Sequence, residues 1–192
     1  MVHLPDSRRV MSFRSRSSGR GPVEIRRVRP DEWNAHRELR LKALAVDPLA
    51  FGSTLAREET FADELWKERT VRGAESKDSA LFVADAGSEG LVGMVVVTLL
   101  EGRGHVFAMW VAPGRRREGI GGRLLDAGLN WFRARTSGEP LHLGVNPRQG
   151  DAVRLYENRG FRRTGGSSPL GHADGEMTVS MVLDLPRASR KP

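Results

Sequence analysis

Residues 111–125, VAPGRRREGIGGRLL, constrain this chain most strongly. Positively charged arginines and glycines without side chains stand together there, at the start of an amphipathic segment. The first turn of a helix leaves backbone N–H groups unpaired and carries about half a positive charge, so it stabilises an anion. The glycines at 119, 121 and 122 remove the Cβ atoms that would hold a ligand away from those amides. The arginines at 115–117 add charge and forked donors suited to phosphate oxygens. The stretch therefore predicts a turn that binds a diphosphate.

Two common phosphate-binding patterns fit this stretch poorly. A P-loop requires Gly-Lys-Ser/Thr, whereas Gly122 is followed by Arg123 and Leu124, so no hydroxyl is available for magnesium. A dinucleotide-binding fingerprint requires a third glycine where Leu124 stands, and the preceding strand is not the first of a βαβ unit. A solvated basic turn without a ligand is the remaining alternative, and this stretch alone leaves it open.

Hydrophobic periodicity predicts the elements around this turn. We expect strands at 23–28, 80–86, 90–100, 104–113, 140–146, 161–164 and 176–185, and helices at 31–46, 61–72, 119–136 and 150–160. The third helix has an apolar stripe, formed by Ile120, Leu124, Leu125, Leu129 and Phe132. Residues 48–54 are predicted to be a loop, and Thr60 with Asp63 a capping box for the second helix. This order predicts an α/β fold with helices on both faces of a mixed sheet.

The net charge of +7 belongs to the two ends of the chain, because the segment 23–185 has as many acidic as basic residues. We expect a disordered basic head at 1–22, one domain at 23–185 and a basic tail at 186–192. No run of 18 apolar residues occurs, which argues against a membrane partner. The chain has no cysteine, which excludes disulfides and thiolate metal sites. A cytoplasmic protein is expected.

The stretch WVAPGRRREGIGGRLL resembles motif A of the GCN5-related N-acetyltransferases, the GNAT superfamily, whose core is Arg/Gln-x-x-Gly-x-Gly/Ala after a strand. Arg116, Gly119 and Gly121 fill that core. The resemblance implies that the turn binds the pyrophosphate of acetyl-CoA and that the preceding strand splays from its neighbour to receive the pantetheine arm. It implies these cofactor-binding residues: Met109, Trp110, Val111, Arg116, Arg117, Glu118, Gly119, Ile120, Gly121, Gly122 and Gln149.

The stretch LGVNPRQGDAVRLYENRGF, residues 143–161, resembles motif B of the same family. The positions in register are Val145, Ala152, Leu155, Tyr156, Gly160 and Phe161. The two resemblances together imply the GNAT acyl-CoA N-acyltransferase fold, an α/β (α+β) fold whose central sheet of about seven strands is mostly antiparallel. The resemblance also implies that Tyr156 is catalytic and protonates the departing thiolate of coenzyme A, a role that suits a phenol. The alternative is that Tyr156 belongs to the core.

Two residues depart from the motifs. Gln149 stands where many relatives have an asparagine that contacts the cofactor, so this contact has a changed geometry. Arg117 replaces a glycine that often follows the motif arginine, which demands more of the loop backbone.

Residues 48–61, PLAFGSTLAREETF, resemble a segment that forms one wall of the acceptor site in one branch of the family. Phe51, Glu58 and Glu59 are the candidate substrate residues. Glu58 and Glu59 could attract a cationic amine or hold a water chain. Alternatively, they are acidic residues that stabilise the N-terminus of the next helix.

The resemblance implies direct transfer of an acetyl group from acetyl-CoA to a small-molecule or peptide amine, without a covalent enzyme intermediate or a metal. The five histidines show no metal-ligand spacing. A homodimer is a possible assembly in this family. Two hypotheses stay open, a non-catalytic acetyl-CoA-binding sensor or interaction module and a nucleic-acid-associated protein. The neutral central segment argues against nucleic acid as a partner.

Overall fold

The structure, a computed structural model, describes residues 21–185. Nearly all of the predicted head and the whole predicted tail lie outside the described residues. The strands are β1 (Glu24–Arg27), β2 (Ser79–Asp85), β3 (Leu91–Leu100), β4 (Arg103–Val111), β5 (Leu141–Val145), β6 (Arg162–Pro169) and β7 (Met177–Leu183). The α-helices are α1 (Trp33–Val46), α2 (Leu55–Glu58), α3 (Asp63–Glu75), α4 (Ile120–Arg133) and α5 (Gly150–Glu157).

The seven strands form one sheet in the order β1-β2-β3-β4-β5-β7-β6. Neighbouring strands are antiparallel except β4 and β5, which are parallel. The predicted mixed, mostly antiparallel sheet of seven strands is confirmed.

Helices pack on both faces of this sheet, as predicted. A methyl group at Gly128 of α4 would lie 2.6 Å from Val97, and one at Gly73 of α3 would lie 2.6 Å from the Leu81 Cβ. Leu81 is paired with Val96, so it faces the same side of the sheet as Val96. Because neighbouring residues of a strand point to opposite faces, Val96 and Val97 assign α3 and α4 to opposite sides.

The predicted apolar stripe of α4 is confirmed as the centre of the core on its face of the sheet. Its five residues are at most 2% exposed: Ile120, Leu124, Leu125, Leu129 and Phe132. Burial of each such side chain stabilises the fold by about 1.5–3 kcal/mol. The stripe therefore holds the beginning of α4 in place against the sheet.

One local prediction is wrong, and one short helix was not predicted. Thr60 forms no capping box, because its hydroxyl donates to the Arg57 carbonyl and Ala62 occupies the N-cap of α3. Thr54 instead caps the unpredicted helix α2, accepting a hydrogen bond from the Arg57 amide at 3.2 Å. A helix of four residues is too short to show a helical repeat of apolar residues.

The strand predicted at 161–164 extends through the Gly-Gly-Ser-Ser stretch to Pro169, because β7 continues to pair with it beyond an irregularity between Arg163 and Ser167. The turn-like composition concealed this pairing.

Strands β4 and β5 separate soon after they begin. Within the described chain, only Gly104 with Leu141 and His105 with His142 are in register. A methyl group at Gly104 would overlap the Phe132 ring, so only glycine allows this close pairing. The rest of β4 lies beside an opening in the sheet, which is the splay that the family resemblance implied.

A buried histidine links α1 to α3. The Nδ1 of His36 lies 2.8 Å from the Thr70 hydroxyl, which donates its own hydrogen to the Trp66 carbonyl at 2.7 Å. Nδ1 is therefore the donor, and the other ring nitrogen carries no proton in the neutral ring. Burial, followed by the charges of Arg40 and Arg69, lowers the pKa of His36 from 6.5 to about 4.

This pKa predicts a loss of stability in mild acid. The unfolded chain binds a proton at His36 near pH 6.5 whereas the folded protein does not, so the free energy of unfolding falls as the pH drops from 6.5 towards 4. The loss from this group reaches about 2 kcal/mol at about pH 5. Urea unfolding of the wild type and of His36→Gln at about pH 7.5 and pH 5 checks it. The stability difference between the two proteins should shrink by that amount, and an unchanged difference would exclude His36.

Candidate active site

A cleft of about 530 Å³ lies where β4 leaves β5, next to the beginnings of α4 and α5. It brings together all the residues predicted to bind the cofactor except Glu118. The residues brought together are Met109, Trp110, Val111, Arg116, Arg117, Gly119, Ile120, Gly121, Gly122 and Gln149. The cleft lining also includes Arg115 of the arginine run and the motif B residues Ala152 and Leu155. It further includes residues that sequence reasoning missed, namely Asp47, Ala50, Arg148, Gly150 and Asp151.

The cleft reaches both faces of the sheet. Met109 and Val111 face α4, because a methyl group at Gly121 would lie 3.4 Å and 3.8 Å from their side chains. Trp110 is paired with Met94 and faces the side that α1 and α3 cover. A bulge precedes these residues, since Val95 lies opposite both Ala108 and Met109, and Ala108 has a φ of 51°. The bulge aims residues 109–111 at the opening.

The turn before α4 exposes the first amides of the helix to the cleft. Gly119 occupies the N-cap with a left-handed backbone, at a φ of 74°, and no side chain caps the helix. Glycine adopts this conformation without the steric penalty of other residues. At Gly121 a methyl group would make only ordinary contacts with Met109 and Leu155, which agrees with the Gly/Ala choice in motif A. The N–H groups of residues 120–122 therefore remain available to an anion.

The three consecutive arginines have different surroundings. Arg115 is buried and pairs with Glu89 at 2.6 Å and Glu118 at 3.0 Å, so its charge is compensated within the fold. Arg116 pairs with Asp47 at 2.5 Å and is 45% exposed. Arg117 lines the cleft with a φ of 65° and has no ion pair within residues 21–185. The expectation that Arg117 demands more of the backbone than glycine agrees with this left-handed conformation.

The second wall of the cleft is fixed by a polar cluster at the end of β5. Asn146 is buried, and its amide donates to Glu176 at 2.8 Å while its oxygen accepts from the Arg148 backbone at 2.9 Å. Glu176 also pairs with the Arg148 side chain at 2.7 Å. The cluster ties the loop that includes Arg148 and Gln149 to the start of β7. Sequence reasoning missed it because Glu176 lies 30 residues from Asn146.

Tyr156 is buried in α5, and its ring contacts Phe161 edge-on at 5.8 Å between centroids. Its neighbour Leu155 lines the cleft, whereas Tyr156 is not part of the lining. Burial raises the pKa of the Tyr156 phenol above its ordinary value of 10.0. The phenol therefore stays protonated at neutral pH and can act as a proton donor.

The three candidate substrate residues lie outside the cleft lining. Phe51 is buried beneath the Arg40 guanidinium, 4.4 Å from its ring centroid, and its carbonyl accepts from His172 at 2.6 Å. Glu58 is 2% exposed and pairs with Arg40 at 2.8 Å and with Arg69 at 3.7 Å. Glu59 is exposed at the end of α2.

The charge of Glu58 is already compensated inside the protein. Burial opposes its ionisation, but the hydrogen bond and charge of Arg40, with contributions from Ser53 and Arg69, hold the Glu58 pKa below its usual value. The carboxylate joins α2 to α1 and α3 through these two arginines, and loss of either partner would leave a buried charge less well compensated. The geometry gives no support to the expectation that Glu58 attracts an amine.

The part of the chain from 21 to 185 contains no group of three or more histidine and acidic residues that could hold a metal ion. No helix in that part is long and apolar enough to cross a membrane.

Comparison with known proteins agrees with the fold and the motifs. The chain is 29% identical over 129 residues to an N-alpha-acetyltransferase of Sulfurisphaera tokodaii, covering 60% of this chain and 75% of that protein. A GNAT-family acetyltransferase from Streptococcus pneumoniae superimposes with a TM-score of 0.72 at 21% identity, covering 86% of this chain and 100% of that one. The yncA protein of Salmonella typhimurium, solved with its cofactor acetyl-CoA, gives a TM-score of 0.69 at 16% identity over 90% and 99% of the two chains.

The sequence model of the acetyltransferase (GNAT) family matches residues 33–161, which include α1, the cleft turn, α4 and α5. This match spans more than half of the chain. The chain therefore belongs to the GNAT family of acetyltransferases.

Proposed function

We propose that this protein transfers the acetyl group of acetyl-CoA directly to an amine, with the cleft beside α4 as the coenzyme site. The observation that carries the proposal is the uncapped first turn of α4, which begins at the left-handed Gly119 and opens into the cleft. Such a turn offers backbone donors to a diphosphate without a metal. The open edge of β4 beyond His105 provides backbone groups for an extended arm.

The residues of the cleft divide into three groups in this proposal. The amides of residues 120–122 and the side chains of Arg116 and Arg117 bind the diphosphate. Met109, Trp110 and Val111 lie along the arm, and Gln149 contacts the coenzyme from the second wall. When bound, acetyl-CoA supplies an activated thioester that an amine can attack.

We assign Tyr156 as the proton donor to the departing thiolate. The assignment is supported by the place of Tyr156 in motif B and by its neighbour Leu155, which lines the cleft. The phenol is protonated at neutral pH, and because burial raises its pKa it is a weak acid, so its proton moves to sulfur only as negative charge develops there. The attacking amine must lose a proton, and this proposal assigns no base to it.

The acceptor in this proposal is a small-molecule or peptide amine, and the compartment is the cytoplasm. The relative from Sulfurisphaera tokodaii is named for acetylation of an α-amine, which makes a peptide N-terminus the first acceptor to assay. Thiol release measured with a panel of peptides and small amines tests this step.

Calorimetric titration of the full chain tests the coenzyme site. Acetyl-CoA, acetyl-dephospho-CoA and acetyl-pantetheine carry the same thioester. The first two have the diphosphate and only acetyl-CoA has the 3′-phosphate, so acetyl-dephospho-CoA should bind like acetyl-CoA if the diphosphate is the group that is bound. Acetyl-CoA should bind at least about tenfold more tightly than acetyl-pantetheine, because the first turn of α4 and the arginines act on the diphosphate. Equal affinity for acetyl-dephospho-CoA and acetyl-pantetheine would remove the diphosphate site from the proposal.

Gly119→Ala should weaken acetyl-CoA binding by about tenfold, because the free turn relaxes out of the left-handed region and binding must restore it at a cost of about 1–2 kcal/mol. Gly121→Ala is the matched control, since its methyl group meets only ordinary contacts and no positive φ. Dissociation constants from calorimetry compare the two variants. Equal losses, or none for Gly119→Ala, would contradict the role of this turn.

Tyr156→Phe should lower kcat by about a hundredfold and leave the affinity for acetyl-CoA within about twofold of the wild type. The substitution removes only the hydroxyl and keeps the ring packed on Phe161. Steady-state kinetics with the best acceptor of the panel, together with calorimetry, separates the two effects. An unchanged kcat would mean that Tyr156 has only a structural role in the core. Coenzyme binding without turnover of any acceptor would favour the sensor hypothesis.

A further inference from the structure

Asp47 is a cleft residue that belongs to neither motif. It directly follows α1, where its backbone N–H donates to the Ala43 carbonyl and its own carbonyl accepts from the Ala50 amide, both at 2.9 Å. These two backbone hydrogen bonds fix the point from which the carboxylate enters the cleft. The side chain is 26% exposed, so solvent reaches it only partly.

One oxygen of Asp47 receives two donors from the cleft wall. Its Oδ2 accepts from the Trp110 indole at 2.6 Å and from Nη2 of Arg116 at 2.5 Å. Burial alone does not explain the indole contact, because the buried indole nitrogens of Trp66 and Trp131 have no partner in the described part of the chain. Both hydrogen bonds to Asp47 are assisted by its charge, which makes them stronger than neutral ones.

Arg116 is held at two points of its guanidinium. Its Nε donates to the Val111 carbonyl at 2.9 Å, while Nη2 donates to Asp47. A guanidinium has five N–H donors, so three remain for a ligand. Because the Nε–Nη2 edge is fixed, those remaining donors have a set direction within the cleft.

The ion pair with Asp47 also changes how Arg116 can bind an anion. Its positive charge is largely cancelled by the adjacent carboxylate, so Arg116 contributes directed hydrogen bonds rather than net charge. Arg117, which has no ion pair among residues 21–185, supplies the charge. The same cancellation limits the repulsion between Asp47 and a diphosphate.

We propose that Asp47 is a positioning residue for coenzyme binding, which acts through Arg116 by fixing the direction of its free donors towards the diphosphate. The inference rests on the proposed function of the cleft. It links the segment after α1 to the turn before α4, two parts of the chain that are 69 residues apart.

A double-mutant cycle on the full chain tests this role. Asp47→Ala should weaken acetyl-CoA binding by about tenfold, because Arg116 loses the contact that directs its free donors and its side chain must then be ordered when the diphosphate binds. Its effect on acetyl-pantetheine, which lacks the diphosphate, should stay within about twofold. In the Arg116→Ala background, Asp47→Ala should have no further effect, because the residue through which it acts is gone.

Two further variants distinguish the orientation of Arg116 from the loss of a negative charge and from a defect in folding. Asp47→Asn keeps an oxygen acceptor at the same place and should lose less affinity than Asp47→Ala. Asp184→Ala removes a carboxylate outside the cleft that pairs with Arg162 rather than with Arg116, and it should not weaken binding. Thermal unfolding of Asp47→Asn verifies that at least one Asp47 variant is folded like the wild type.

Three outcomes would overturn the inference. Tighter acetyl-CoA binding in Asp47→Ala would make the carboxylate a competitor of the diphosphate. An equal loss with and without Arg116 would mean that Asp47 acts elsewhere, and an equal loss for acetyl-pantetheine would assign it to the arm. A wild type that binds acetyl-CoA no more tightly than acetyl-pantetheine would instead refute the proposed diphosphate site itself.

Discussion

The parallel pairing of β4 with β5 is the constraint on which the rest of the site depends. Parallel neighbours require a crossover connection, and here α4 makes it. The helix must then begin beyond the carboxyl end of β4, so its unpaired amides lie where the two strands separate. Because only two residue pairs join β4 and β5 within residues 21–185, the cleft is open to both faces of the sheet. The position of the diphosphate turn follows from chain topology rather than from its own sequence.

Backbone strain is concentrated around this opening. Ala108, Arg117 and Gly119 all have left-handed backbones, and for the two residues with side chains this costs on the order of 1 kcal/mol or more each. The buried stripe of α4 offsets the cost, since each of its five apolar side chains contributes about 1.5–3 kcal/mol. A well-packed helix therefore holds an unfavourable turn in position. The strain lies at the cleft and the stabilising contacts lie behind it.

The sequence predicts those features of this protein that arise from residues close together along the chain. The turn at 111–125, the α4 stripe and the motif around Tyr156 all lie within single short segments, and periodicity predicts the succession of strands and helices along the chain. Asp47 could not be found in this way, because its role depends on Trp110 and Arg116, which lie 63 and 69 residues away. Glu58 shows the opposite case. As a charged residue in a loop-like segment it suggested a ligand site, whereas its partners on α1 and α3 compensate its charge.

The run of three arginines shows why composition alone does not define an anion site. Arg115 is 3% exposed between two glutamates and fixes the turn to the connection between β2 and β3. Arg116 has three N–H donors free for a ligand, but Asp47 cancels most of its charge. Arg117, which lines the cleft, has both free donors and an uncompensated charge among the described residues. Of these three arginines, only Arg116 and Arg117 have donors left for a diphosphate at the first turn of α4. Backbone donors fixed by a packed helix need no reorganisation when the ligand arrives, whereas a flexible cation must lose side-chain entropy to bind. The proposed binding of a diphosphate in this cleft therefore depends on the helix and on the anchored Arg116 more than on the number of arginines.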